Sequence, residues 1–152
     1  MNRNPGFWPN YFLRVAGVVS IASKDPSTQV GAVIVRPDRT MASFGFNGFP
    51  RGVVDSPDRL NDRPTKYSFT VHAEANAILT AREPLHGYTM YSTLFPCSDC
   101  AKLIIQSGIR FVCSPVYEVE RWRSSFMLSE QMFREAGVAW QLIAEEDNAP
   151  SA

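Results

Sequence analysis

No stretch of this sequence stays apolar long enough to span a membrane, and its first residues, MNRNPGFWPN, lack the apolar core of a secretion signal. Net charge is missing too, since fifteen Lys and Arg balance fifteen Asp and Glu. A neutral chain has no global field to gather polyanions, so neither a nucleic-acid polymer nor a membrane is expected as a partner. Cysteine is scarce and odd in number, three in all, and Cys97 and Cys100 are too close together for an ordinary structural disulfide. That excludes a disulfide framework and points to metal or redox chemistry in a cytoplasmic protein. Histidine is scarcer still, with only His72 and His86. There is no internal repeat and no low-complexity tract, and only the tail EEDNAPSA, 145–152, reads as disordered.

What is present is the material of one globular domain. At 45% hydrophobic and 20% charged over 152 residues, the chain can bury a real core, placed at about 7–143. Trp8, Tyr11, Phe12, Val15, Val18, Val19 and Ala22 recur at helical spacing, so 7–23 reads as an amphipathic helix that ends before Pro26. VGAVIV and MASFGFN flank the turn sequence RPDRT as two strands of a hairpin. Residues 48–70 show neither period and carry three prolines, which predicts a long functional loop. A helix over 72–82, a strand in GYTMYST, a helix over 97–107 stopped by Gly108 and a strand in IRFVCS follow. A helix over 119–136 and a last strand in VAWQLIA complete the order α-β-β-α-β-α-β-α-β. Such alternation predicts an α/β fold, a five-stranded, partly parallel sheet with helices on both faces.

The chemistry-bearing residues gather at two helix starts. Cys97 and Cys100 straddle the first turn of a helix, three positions apart and therefore on one face. Free backbone N–H groups and the positive helix end favour thiolates there. Half of a zinc site and a thioredoxin-type redox dithiol both fit that pattern. Cys113, in the middle of an apolar strand, reads as core, and His86, in EPLHGY, as a solvated turn residue. His72 opens a helix just as the cysteine pair does. Two helix mouths side by side would set His72, Cys97 and Cys100 around one metal, and three protein ligands leave the fourth position of a catalytic zinc site open to water. Glu74, two residues after His72, is then placed to move protons beside the metal. As a first-turn glutamate it is also simply favoured by the helix dipole.

His72-Ala73-Glu74 with Pro96-Cys97-Ser98-Asp99-Cys100 matches the H-x-E…P-C-x-x-C signature of zinc-dependent deaminases. YFLRVAGVVSIASKDPSTQVGAVIV, GFNGFPRG, KYSFTVHAEANAI and LFPCSDCAKLIIQSGI resemble the deoxycytidylate deaminases, a likeness running from about Trp8 to Ile143. The resemblance implies the three-layer α/β/α cytidine deaminase-like fold and hydrolysis of dCMP to dUMP and ammonia, which supplies thymidylate synthesis. It implies one Zn2+ per chain on His72, Cys97 and Cys100, with Glu74 as the catalytic proton carrier. The backbone at Ala73 would read the pyrimidine edge and Asn47 the sugar. Ser23 and Lys24, after the first helix, and Tyr117, after the fourth strand, stand at the matching end of the sheet as candidates to hold the phosphate.

In the same family a loop related to 48–70 helps bind a regulatory dCTP or dTTP with Mg2+. By resemblance that site would draw on Asn47, Gly48, Arg51, Arg59, Arg63 and Lys66. The stretch RGVVDSPDRLNDRP nevertheless lacks the cysteine and acidic pair often seen there. Relatives commonly form hexamers, so a homo-oligomer with a small-molecule nucleotide substrate is expected. Two other readings use the same residues. One is deamination of a modified deoxycytidylate or of free deoxycytidine or cytidine; the other is a non-catalytic nucleotide-binding zinc module, against which Glu74 argues.

Overall fold

The computed structural model describes residues 2–118 and 120–144, so the tail expected to be disordered, 145–152, lies outside the described residues. In chain order the elements are α1 (Phe7–Ser20), β1 (Gly31–Val35), β2 (Met41–Phe46), α2 (Pro57–Asn61), α3 (Arg63–Phe69) and α4 (Ala73–Thr80). Then come β3 (Thr89–Ser92), α5 (Ser98–Ser107), β4 (Phe111–Pro115), a single short turn at Glu120–Trp122, α6 (Arg123–Ala136) and β5 (Ala139–Ile143). Among the described residues no helix is long and apolar enough to cross a membrane.

The five strands form one mixed sheet in the order β2-β1-β3-β4-β5. β1 runs antiparallel to both β2 and β3, whereas β3, β4 and β5 are parallel. β1 is buried on both faces because its neighbours leave it no solvent side. Alternation along it feeds two cores: Val33 and Val35 meet Phe12, Leu13 and Ala16 of α1, while Ala32 and Ile34 join residues of α4, α5 and α6 on the other face. The three-layer arrangement is the one expected, with one helix on one face and three on the other. Cys113 lies fully buried in the α1 layer, and His86 is exposed in a turn, both as read from sequence.

The segment 48–70 differs from the expected loop. It contains α2 and α3, each opened by a capping side chain and a proline in the first turn: the Ser56 side chain accepts from the Arg59 N–H, and that of Asp62 from the Thr65 N–H. α2 buries no residue and α3 only Lys66. Helices without an apolar face leave no period in the sequence, so the caps alone signalled them.

The direction of the strands brings the start of β1 and the ends of β2 and β3 to one edge of the sheet. α4 lies against β2 at very short range. A Cβ on Gly45 would sit 2.5 Å from the Ala73 carbonyl oxygen and closer still to the Ala77 nitrogen. Gly45→Ala is therefore expected to push α4 off the sheet and to destabilise the fold by about 3 kcal/mol, measured by denaturant unfolding; an unchanged midpoint would contradict this packing.

Candidate active site and metal centre

His72 and Cys97 share a structural position. Each is the N-cap of a helix, α4 and α5 respectively, with extended backbone (ψ 154° and 169°), and neither uses its side chain to cap. Both side chains are therefore free to turn toward a common point. Cys100 joins them from the first turn of α5. The two sulfurs lie 3.4 and 3.5 Å from His72 Nδ1, and the three ligand atoms fall within 4.8 Å of one another. One imidazole and two cysteine sulfurs at that spacing, held by two rigid helix starts, fit the three-ligand set of a catalytic Zn2+ site. All three cysteines are free thiols. A hydrogen bond from Cys100 and another from His72 hold the Cys97 thiol well below its ordinary range against the opposing effect of burial. The same sharing pushes Cys100 up, and the Cys97 bond raises His72.

Glu74 is the second residue of α4 and is only 4% exposed. The hydroxyl of Ser92, itself fully buried at the end of β3, donates to Glu74 Oε1 at 3.1 Å. Burial raises the carboxyl above its usual range, opposed by its own backbone N–H, by His72 and by Ser92. A buried carboxyl beside the His72 and Cys97 side chains is the kind of group that serves as a proton carrier.

His72, Ala73, Glu74 and Cys97 line one cleft. Leu94, Phe95, Trp122 and Phe126 give it apolar walls, and Asp25, Thr28, Lys66 and Arg121 add polar ones. That mixture of apolar walls with a few charged groups is typical of small-molecule sites. Lys66 and Asp25 form an ion pair at 3.1 Å, with side chains 7% and 10% exposed, and Lys66 also reaches Ser27 Oγ at 3.3 Å. Burial would raise the Asp25 carboxyl, but the N–H groups of Thr28 and Ser27 together with Lys66 hold it below its usual value.

The other sequence candidates divide between the cleft and its surroundings. Asn47 lines the cleft, but its side chain is engaged: Oδ1 accepts from the Val30 N–H at 2.8 Å and Nδ2 donates to the Thr28 carbonyl at 2.9 Å. Ser23 is buried and donates to the Asn47 carbonyl at 2.8 Å, Lys24 pairs with Asp55 at 2.8 Å, and Tyr117 donates to Glu130 at 2.7 Å. None of these three lines the cleft. Lys24, Asn47 and Gly48 share a neighbouring hollow with Asp25 and Asp55. Arg51, Arg59 and Arg63 are exposed and outside both, Arg59 over the Phe69 ring and Arg63 over that of Tyr67. Lys66, grouped with them in sequence, instead lines the cleft.

Sequence reasoning passed over Ser92, Asp25, Arg121 and Trp122. Asp25 stands inside the quoted stretch SKDPSTQ and could have been singled out there. Ser92 is one polar residue in a strand, and Trp122 looks like any aromatic on a helix face, so neither carries a signal of its own.

Comparison with known proteins places this geometry. The family model described as the cytidine and deoxycytidylate deaminase zinc-binding region matches residues 7–114. An uncharacterized deaminase in the luxG 3' region of Aliivibrio fischeri is 47% identical over 134 residues, covering 86% of this chain and 90% of that protein. The deoxycytidylate deaminase of Homo sapiens is 39% identical over 142 residues, covering 88% of this chain and 78% of that one. The fold matches that of the dCMP deaminase of cyanophage S-TIM5, solved with dCMP and dUMP, at a TM-score of 0.71 and 24% identity over 93% of this chain and all of that one. Since the matched segment contains His72, Glu74, Cys97 and Cys100 together, the chain belongs to the cytidine and deoxycytidylate deaminase zinc-binding family.

Proposed function

We propose that this chain hydrolyses the amino group of dCMP, giving dUMP and ammonia. The observation that carries this reading is the meeting of two helix N-termini, which sets His72, Cys97 and Cys100 within 4.8 Å of one another beside the buried carboxyl of Glu74. Deoxycytidylate as the substrate is supported by the human and mouse relatives, both deoxycytidylate deaminases.

His72, Cys97 and Cys100 would hold Zn2+. The chemistry Zn2+ supplies at such ligands is Lewis-acid activation of water near neutral pH. Glu74 takes a proton from the water that attacks C4 and delivers it to N3 of the ring. It then takes the proton of the new C4 hydroxyl and passes it to the amino nitrogen, so the carbonyl forms as the C4–N bond breaks and ammonia leaves. Ser92 donates to Oε1 and so fixes the carboxyl against the end of β3. The backbone at Ala73 meets the pyrimidine edge and Asn47 the sugar side, while Phe95 and Trp122 flank the base and keep bulk water away. In this reading the phosphate meets Lys66 and Arg121, the two cations of the cleft lining.

Arg121 is exposed, and no carboxylate pairs with it among the described residues. Arg121 gives up only a long hydrogen bond to Thr28 Oγ1, at 3.5 Å, so Arg121→Met strands no carboxylate and is expected to raise KM for dCMP by about tenfold, the loss of one charge-assisted hydrogen bond. Turnover of deoxycytidine, which lacks the phosphate, should not change. Equal losses on both substrates in steady-state assays would contradict a phosphate role.

Three further elements belong to this reading. A homo-oligomer, a hexamer by the family resemblance, is the expected assembly, and apolar side chains left exposed at the end of α1 and along β2, Val18, Ile21, Phe44 and Phe46, support association of copies. Regulation by dCTP or dTTP with Mg2+ at Asn47, Gly48, Arg51, Arg59 and Arg63 is supported by the hollow beside the cleft and the exposed arginines nearby. A cytoplasmic setting is supported by the free thiols. The test of the whole is an assay of the zinc-loaded chain for ammonia and dUMP from dCMP.

A further inference from the structure

The turn that carries Cys97 is held from outside by α6. Ser125 Oγ accepts from the Ser98 backbone N–H at 2.8 Å and donates to Ser98 Oγ at 3.1 Å. Ser129 Oγ, fully buried, donates to the Pro96 carbonyl at 2.8 Å and shares that proton with the Ser125 carbonyl at 3.1 Å. The residues on both sides of Cys97 are thereby fixed to two serines one helical turn apart.

This arrangement answers a conflict at the start of α5. A helix start has N–H groups with no partner in the helix, and the N-cap side chain normally supplies one. Cys97 is that N-cap, yet its sulfur faces His72 and makes no capping bond. The Ser98 N–H, at the first helical position, lies outside what an N-cap side chain serves, and Ser125 takes it from a different helix. Pro96, which cannot donate, offers only its buried carbonyl, and Ser129 takes that. We propose that Ser125 and Ser129 are positioning residues of the metal centre: from α6 they fix the backbone on both sides of Cys97, so that its sulfur is aimed at the ligand set. The proposal rests on the reading of His72, Cys97 and Cys100 as zinc ligands. It also ties the metal turn to the cleft wall, because α6 carries Phe126 between the two serines.

The test compares the full-length chain with Ser125→Ala, Ser125→Thr and Ser129→Ala. Zinc affinity is read by competition with a chelator, metal geometry by the absorption spectrum of the Co2+-loaded protein, and fold by thermal unfolding of the metal-free chain. Removing an outer hydrogen bond to a ligand-bearing turn is expected to weaken zinc binding about 10- to 100-fold. The Co2+ bands should shift in both alanine variants, and Ser125→Thr, which keeps the hydroxyl, should restore wild-type affinity. A purely structural role would instead lower the unfolding temperature of the metal-free chain while leaving affinity and Co2+ spectrum at wild-type values, and that result overturns the proposal. Should Ser129→Ala not fold, Ser125→Ala, at a half-buried position, decides by the same two readouts. If the wild-type chain takes up no zinc, the ligand reading itself fails, which is a different result from wild-type binding that the variants leave unchanged.

Discussion

Glu74→Gln is expected to slow dCMP turnover by about 10^2- to 10^4-fold while zinc stays bound at one per chain. The glutamine has the shape of the glutamate, and its carbonyl oxygen can still accept from Ser92, so the side chain keeps its place. What it loses is the capacity to carry two protons in turn, one from water to the ring nitrogen and one from the new C4 hydroxyl to the departing nitrogen. Because His72, Cys97 and Cys100 would hold the metal without Glu74, metal content should be unaffected. Steady-state rates beside metal analysis separate the two effects. Full activity in the variant would remove Glu74 from the mechanism, and loss of zinc would make it a ligand.

Cys100→Ala should have the larger effect on the metal. With one of two sulfurs gone, zinc content is expected to drop well below one per chain, and activity to fall by at least about 10^3-fold, since the Lewis acid supplies several kcal/mol of transition-state stabilisation. Cys113→Ala is the control. Cys113 is fully buried in the α1 layer, and burial pushes its thiol up to about 12. That substitution removes core volume alone, costing about 1–2 kcal/mol, and should leave zinc and rate intact. Loss of zinc from the Cys113 variant, or its retention in the Cys100 variant, would move the ligand set elsewhere.

The parts of this molecule that were legible in the sequence are those in which one residue type has a narrow physical use. The alternation of apolar strands and helices yields the mixed sheet, and Gly108, at φ +84°, stops α5 where a left-handed residue is needed. His72, Glu74 and the Cys97–Cys100 pair stood out because two histidines and three cysteines leave few other ways to assemble a metal site. α2 and α3 escaped a reading by periodicity, since they bury almost nothing and are started by Ser56-Pro57 and Asp62 with Pro64. The cleft's charged lining was misplaced along the chain for a related reason. Lys66 sits in a segment rich in exposed arginines, and only the turn of α3 that buries it shows that it pairs with Asp25, 41 residues away. Long-range pairing of ordinary polar residues leaves no local pattern. The same holds for Ser125 and Ser129, which look like surface serines of a helix until Pro96 and Ser98 are set against them.

The most direct test of the central claim is kcat/KM of the zinc-loaded chain for dCMP, measured beside deoxycytidine, cytidine and 5-substituted dCMP. The account predicts that dCMP is converted to equal amounts of dUMP and ammonia, with a kcat/KM at least about tenfold above either nucleoside, the contribution of one charge-assisted phosphate contact. A nucleoside turned over faster than dCMP, or dCMP recovered unchanged, would contradict it.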